Sequence, residues 1–315
     1  ANGPSKVLQT SYEQEGERLD RIFRGEIESQ AESLGKALTA LTLDATLVDT
    51  FLGQDREALL AKAAPIFARL KESYRITHFY FMTPDDKIFL RVHNPSSHGD
   101  TVKRATFLQA KATRKLGSGI EMGAKFFSLR VVMPVVRDGS VVGYMELGEE
   151  LDHLVHAFKN DSGIDASMWL SKTYVERKKL AHDFPRAGDF SLVMAADAKA
   201  QQQLMQQYLQ ANGSAGAFAR IMVGDVPTGA RALPFKDAFG DEAGVVLYTY
   251  DIARADRALS AFDQAIVAIV VVMLALSALS ATWLARRIAQ PLDEAARIAQ
   301  AIGQGDLRSM VTTRR

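Results

Sequence analysis

Leu19, Phe23, Ile27, Ala31, Leu34, Leu38 and Leu41 recur at steps of three and four. That spacing keeps one apolar stripe on one face of a helix and predicts a helix over about 7–43, behind a disordered lead at 1–6. The opposite face carries Glu13, Glu15, Glu17, Arg18, Asp20, Arg24, Glu26 and Glu28. A stripe this long suits a coiled-coil-like seam with a second copy or a helix laid along a sheet. A helix that covers its own domain accounts for the same stripe. Leu47, Phe51, Leu59, Leu60, Ala63, Ile66, Phe67 and Leu70 predict a second helical region over 44–74. A turn at Gly53-Gln54-Asp55 splits it, with Asp55 as the cap of the following helix.

The period then changes from helical steps to alternation. Ile76–Met82 and Lys87–His93 read as strands joined by the turn Thr83-Pro84-Asp85-Asp86. A polar loop, Asn94–Asp100, and a short helix, Thr106–Lys115, follow. Three more strands are expected at 120–123, 126–136 and 140–148, the last two joined by the hairpin turn Arg137-Asp138-Gly139. A helix over 149–159 closes this block. An antiparallel sheet with helices set between its second and third strands is a PAS-like α+β arrangement.

The order recurs more weakly. Strands are expected at 165–171, 217–223, 229–234 and 244–250, with a helix over 195–210. Pro134 to Leu147 and Pro234 to Tyr248 both read as a proline-ended strand, a polar turn and a glycine-containing strand leading to a helix. This predicts a degenerate internal repeat.

Ala265–Leu284 (AIVAIVVVMLALSALSATWL) carries no charge. It has the length of a bilayer-crossing helix, roughly 20 residues. The alternative is a buried core helix. Arg286 and Arg287 follow at once, which favours the cytoplasmic side for what comes after, and Trp283 sits at that boundary. The larger part of the chain is then expected outside the cytoplasm, in the periplasm of a bacterium, with a short tail inside. No Gly or Pro lies between Asp251 and Pro291, so one helix is expected to run from about Ile252 into the span.

Composition narrows the chemistry. The net charge is +1, which gives no sign of nucleic acid. There is no cysteine, so disulfides, thiolate zinc sites and a covalently attached haem of the usual type are excluded. Serine-hydrolase, zincin, phosphate-loop and dinucleotide motifs are absent, and no cofactor or enzymatic activity is expected.

Alternation shows which polar side chains share a sheet face. Arg91 and His93 lie together on the second strand, Arg130 lies on the fourth, and Tyr144 and Glu146 share a face of the fifth. Strand neighbours are close enough for these five to meet, with His78 and Tyr80 contributed by the first strand. A helix lying over this side makes a pocket. Its arginine forks suit a small anion, above all a carboxylate. The expected ligand-binding set is Tyr80, Arg91, His93, Arg130, Tyr144 and Glu146. A solvated sheet face is the alternative. His93, His98 and Asp100 in the polar loop are candidate metal ligands, although their spacing matches no strong motif. His153 and His156 lie three apart on a helix without a third ligand, and solvent exposure accounts for them.

Beyond the span, Ile288, Leu292, Ala295, Ala299 and Ile302 recur at helical steps. With Pro291-Leu292 just inside the membrane and Gly305-Asp306-Leu307 later, 286–307 resembles the first helix and early connector of a HAMP domain. The part before the span resembles the double-Cache sensor domains of bacterial chemoreceptors, sensor histidine kinases and diguanylate cyclases. The long first helix, the two PAS-like blocks and the direct link into a membrane helix carry this resemblance. The run Phe79–Pro95 with His98-Gly99-Asp100 is similar to one Cache subgroup. The amino-acid-binding pattern of the commoner double-Cache receptors is not seen. The resemblance implies a homodimeric receptor in chemotaxis or two-component signalling, anchored in the inner membrane. It also implies a first span ahead of the long helix, and a second HAMP helix and output domain, none of which lies in this sequence.

The expected organisation is a long signalling helix at 1–45, a membrane-distal module at 46–160, a membrane-proximal module at 161–260, a transmembrane helix at 261–285 and a partial HAMP domain at 286–315. A small ligand bound in the distal module would pass its signal through the membrane helix. Two alternatives stay open: a membrane-anchored metal-dependent enzyme, and a sensor that reads a periplasmic binding protein.

Overall fold

The fold is that of a computed structural model, which describes residues 3–122, 127–162, 165–180, 184–211, 216–285, 287, 293, 295–297 and 299–300. It divides into two compact units, Ala1–Ile252 and Ala253–Arg315.

Helix α1 spans Gly3–Leu43. The expected disordered lead is therefore helical from Gly3 onward. Its apolar stripe is spent inside the chain: Leu19, Phe23, Leu34 and Leu38 are buried in the principal core. Phe23 packs edge-on against Phe158 (5.6 Å) and Tyr248 (6.1 Å). Even the charged face is partly used. Asp20 accepts a hydrogen bond from Tyr248 (2.9 Å), and Arg24 donates to the Pro234 carbonyl (2.7 Å). Of the two roles the stripe suits, the structure shows the helix laid along sheets.

Helices α2 (Ala45–Leu52) and α3 (Arg56–Tyr74) follow. Asp44 and Asp55 cap them by accepting from backbone N–H groups that have no partner inside the helix. The first sheet consists of β1 (His78–Met82), β2 (Ile88–Arg91), β3 (Gly117–Met122), β4 (Phe127–Arg137) and β5 (Ser140–Glu150). It is antiparallel in the order β2-β1-β5-β4-β3, with α4 (Ala105–Thr113) between β2 and β3 in sequence. Asp138 (φ 51°) and Gly139 (φ 77°) make the tight β4–β5 turn, a left-handed pair suited to a two-residue hairpin.

After α5 (Asp152–Ser162) the second sheet begins with β6 (Asp165–Ser171). It continues through α6 (Lys172–Arg177), β7 (Arg186–Ala187), β8 (Phe190–Ala195), α7 (Ala198–Gln210), β9 (Phe218–Val223), β10 (Val226–Lys236) and β11 (Glu242–Asp251). Its order is β7-β8-β6-β11-β10-β9. Without the two-residue β7, this is the order of the first sheet again, so the internal repeat is a repeat of topology. The two repeat prolines are placed alike. Pro134 pairs with Tyr144 and Pro234 with Val245, each beyond the end of its strand's other ladder. A residue without an N–H is tolerated where one neighbour is missing. The sequence reading missed α6, β7 and β8.

The chain is thus α+β, a long N-terminal helix with two tandem PAS-like modules. The second unit holds α8 (Ala253–Leu284). Within it, Gln264–Leu284 is long and apolar enough to cross a membrane, with a mean hydropathy of 2.5. Most of the HAMP-like stretch 286–315, and Phe126 at the expected start of β4, lie outside the described residues.

Candidate functional site

Alternation puts the two faces of the first sheet to different uses. Phe79, Phe81, Leu129, Val131, Met145 and Leu147 enter the principal core. His78, Tyr80, Arg130, Val132, Tyr144 and Glu146 take the other face. There the register sets Tyr80 opposite both Arg91 and Glu146, His78 opposite Gly148, and Arg130 opposite Gly148. Four of the expected residues are nearly fully buried on this face: Tyr80, Arg130, Tyr144 and Glu146.

Tyr80 is the centre of the cluster. The guanidinium carbons of Arg104, Arg91 and Arg130 lie 4.8, 5.6 and 5.8 Å from its ring centroid. An aromatic face attracts a cation at this range. His93 lies edge-on to it at 4.8 Å and to His78 at 4.7 Å. Glu146 accepts from Arg130 (2.6 Å) and from Arg104. Burial disfavours the Glu146 carboxylate, but the two guanidinium groups outweigh it and hold its pKa below the usual range. Burial likewise opposes the charge on Arg130, and Glu146 and Tyr80 override it. The Nε atoms of Arg104 and Arg130 are buried donors without a hydrogen-bond partner.

Arg91 is held differently. It grips Asp100 fork to fork (2.7 and 2.8 Å) and donates to the Ser97 carbonyl (2.8 Å) and hydroxyl (3.1 Å). It thereby latches the loop that sequence reading left polar. Burial keeps both histidines neutral, His78 down to about 3 and His93 to about 4, with Arg130 adding to the effect. The Nδ1 of His93 accepts from the Phe79 N–H (3.3 Å), so its Nε2 carries the proton. Around Tyr80 the cluster therefore sets three guanidinium cations against two carboxylates, Glu146 and Asp100, while a third carboxyl, Glu121, is buried further along the same face, where burial raises its pKa.

The structure brings Tyr80, Arg91, His93, Arg130 and Glu146 together. Tyr144 shares their face one pair further along, opposite Met82, with its ring edge-on to Phe107 at 4.9 Å. Sequence reasoning missed Arg104. It sits at the N-cap of α4 with no side-chain cap bond, outside any strand whose alternation would reveal it. Its one sequence signal is an arginine where Ser, Thr, Asp or Asn is usual.

The three candidate metal ligands each meet a different partner. His98 Nε2 faces Arg56 (3.1 Å), Asp100 faces Arg91 and His93 faces the Phe79 amide. Among the described residues no group of three or more His, Asp or Glu is placed to hold a metal ion.

A sequence profile of the double sensory domain of two-component sensor kinases, a double-Cache family, matches residues 12–255. No curated protein matches the chain by sequence. Solved structures of sensor domains are among those similar to it. The sensor domain of the Vibrio cholerae histidine kinase DctB is 13% identical, with 77% of this chain and 98% of that one covered and a TM-score of 0.47. The periplasmic domain of Vibrio cholerae LuxQ is 10% identical, with 74% and 98% covered and a TM-score of 0.46. The ligand-binding domain of the Campylobacter jejuni chemoreceptor Tlp3, solved with L-valine, is 12% identical, with 78% and 92% covered and a TM-score of 0.40.

Proposed function

The chain belongs to the family of double sensory domains of two-component sensor kinases, and from that premise we propose that it senses a small carboxylate in its membrane-distal module. The carrying observation is the ring of three guanidinium groups around Tyr80, with one positive charge beyond what Glu146 and Asp100 neutralise. Glu146 is fully buried and holds the core of the cluster. The Asp100 side chain is 56% exposed and sits on Arg91, which is more accessible than Arg130. A ligand carboxylate takes the place of Asp100 on Arg91, where a planar fork recognises it in two parallel bonds. Tyr80 and neutral His93 add hydrogen bonds, and Tyr144 bounds the apolar side.

Releasing Asp100 frees the 94–100 loop that Arg91 latches. A ligand with unequal affinity for the latched and released arrangements shifts their populations. The reading places the sensor in the periplasm of a homodimer anchored by α8 in the inner membrane, with HAMP as the next relay. It assigns no catalysis to this chain.

A thermal-shift panel of mono- and dicarboxylates, amino acids, purines and amines on the intact chain in nanodiscs tests this. A saturating carboxylate at 100 times its dissociation constant adds roughly 2.7 kcal/mol. Arg91→Ala is expected to abolish that shift. A panel with no response would instead favour sensing through a periplasmic binding protein.

A further inference from the structure

On the opposite face of the first sheet one residue breaks the pattern. Met145 and Leu147 point into the principal core, and the next position on that face is Glu149, only 1% exposed. An acid here carries a desolvation cost that a leucine would avoid. Its Oε1 has no hydrogen-bond partner. Glu149 lines a cleft of about 560 Å³ between α1, the end of α3 and the start of α5, within the size range of small-molecule sites.

His153 makes the arrangement specific. Its Nδ1 lies 2.8 Å from the Glu150 carbonyl, which can only accept, so Nδ1 carries a proton. In the neutral ring Nε2 is then an acceptor, and it faces Glu149 Oε2 at 3.9 Å. With the ring neutral and Glu149 ionised, two acceptors face each other with no donor between them. Glu26 from α1 adds a second carboxylate at the cleft, and Leu34 and Ile76 supply apolar wall. Arg75 at the end of α3 is the opposing cation.

We propose that this cleft is a second binding site, for a small organic amine whose ammonium group bridges Glu149 and His153 Nε2. An ammonium donates up to three hydrogen bonds and carries the charge that Glu149 lacks. Its apolar body lies against Leu34 and Ile76. The site is built partly from α1, on the far side of the sheet from the arginine cluster, and does not depend on it. Burial, reinforced by Glu26 and opposed by Arg75, lifts the Glu149 pKa to about 7. A bound ammonium favours the ionised carboxylate, so binding tightens as the pH rises through 7 and weakens below it.

The test is a calorimetric titration of n-butylamine hydrochloride into the intact chain in nanodiscs at pH 7.5. Potassium chloride of equal ionic strength and sodium butyrate are the controls. The expected result is saturable binding of the amine alone, weakened about tenfold or more in Glu149→Gln and unchanged in Arg91→Ala. Ser33→Trp, at the exposed rim of the same cleft, should block the site without touching the buried carboxylate, and it keeps the test valid if Glu149→Gln folds poorly. Binding that is equally strong in Glu149→Gln or Ser33→Trp, or no saturable binding beyond the salt control, overturns the proposal.

Discussion

Removing the Arg130 side chain leaves the Glu146 carboxylate buried with one of its two partners gone. Arg130→Ala is expected to cost about 3–5 kcal/mol, the usual penalty for stranding half of a buried pair. Arg130→Met with Glu146→Leu should recover part of it, because the buried carboxylate goes too while Arg104, its other partner, keeps some access to solvent. Urea unfolding with an unchanged slope would measure both. The two histidines give a pH signature. Each is neutral in the fold down to about 3 or 4, whereas the unfolded chain protonates near 6.5. Above that value they contribute no pH dependence. As the pH falls below 6.5 the unfolded state takes up protons first, so stability declines toward pH 4. Glu149 acts at higher pH. Its folded pKa of about 7 exceeds the unfolded value of 4.5, so stability is lost as the pH rises between the two. Glu149→Gln should therefore raise the melting temperature at pH 8 and change it little at pH 4. The two trends oppose each other between pH 4.5 and 6.5, so the variant separates them: a Glu149→Gln melting profile parallel to the wild type from pH 4 to 8 would contradict the Glu149 assignment, and one that does not fall below pH 6.5 would contradict the histidine assignment.

At the scale of elements, α1 is the shared spine of both modules. Phe23 sits between Phe158 and Tyr248, and Arg231 of β10 reaches back to the Glu13 carbonyl and the Glu17 carboxylate (3.2 Å). Phe23→Ala is expected to cost about 3–5 kcal/mol. If the helix joins the two sheets as described, denaturation of the variant should lower the midpoints reported by both modules. A loss confined to one would contradict that. Most elements were legible because their periods are strong: the stripe of α1, the Asp55 cap, and the alternation of β1, β2, β4 and β5. The second module was less legible. Strand β8 (FSLVMA) follows a segment, 178–189, in which Lys178, Lys179, Pro185, Arg186 and Gly188 leave no clear period. At the site, alternation could find Arg91, Arg130 and Glu146 because they lie on strands. It could not find Arg104, which reaches Tyr80 from a helix cap, nor show that Asp100 is a partner of Arg91. Glu149 was read as the first residue of a helix over 149–159, whereas β5 runs on to Glu150 and α5 begins at Asp152, so its place on an apolar sheet face was not legible.

For the molecule as a whole, the sensory reading joins two units: a folded pair of modules at 1–252 and the apolar helix that follows them. The helix must be in a membrane for the reading to hold. Val271→Arg, near the middle of Gln264–Leu284, adds about 2.5–3.5 kcal/mol to insertion and should shift the chain into the alkali-extractable fraction. The most direct test of carboxylate sensing is calorimetric titration of one responsive carboxylate into three forms of the chain. These are wild type, Arg91→Ala and Asp100→Asn. If the ligand displaces Asp100 from Arg91, Arg91→Ala abolishes binding while Asp100→Asn tightens it, because the internal competitor has lost its charge. Equal affinity in all three forms, or a weaker Asp100→Asn, would contradict the account.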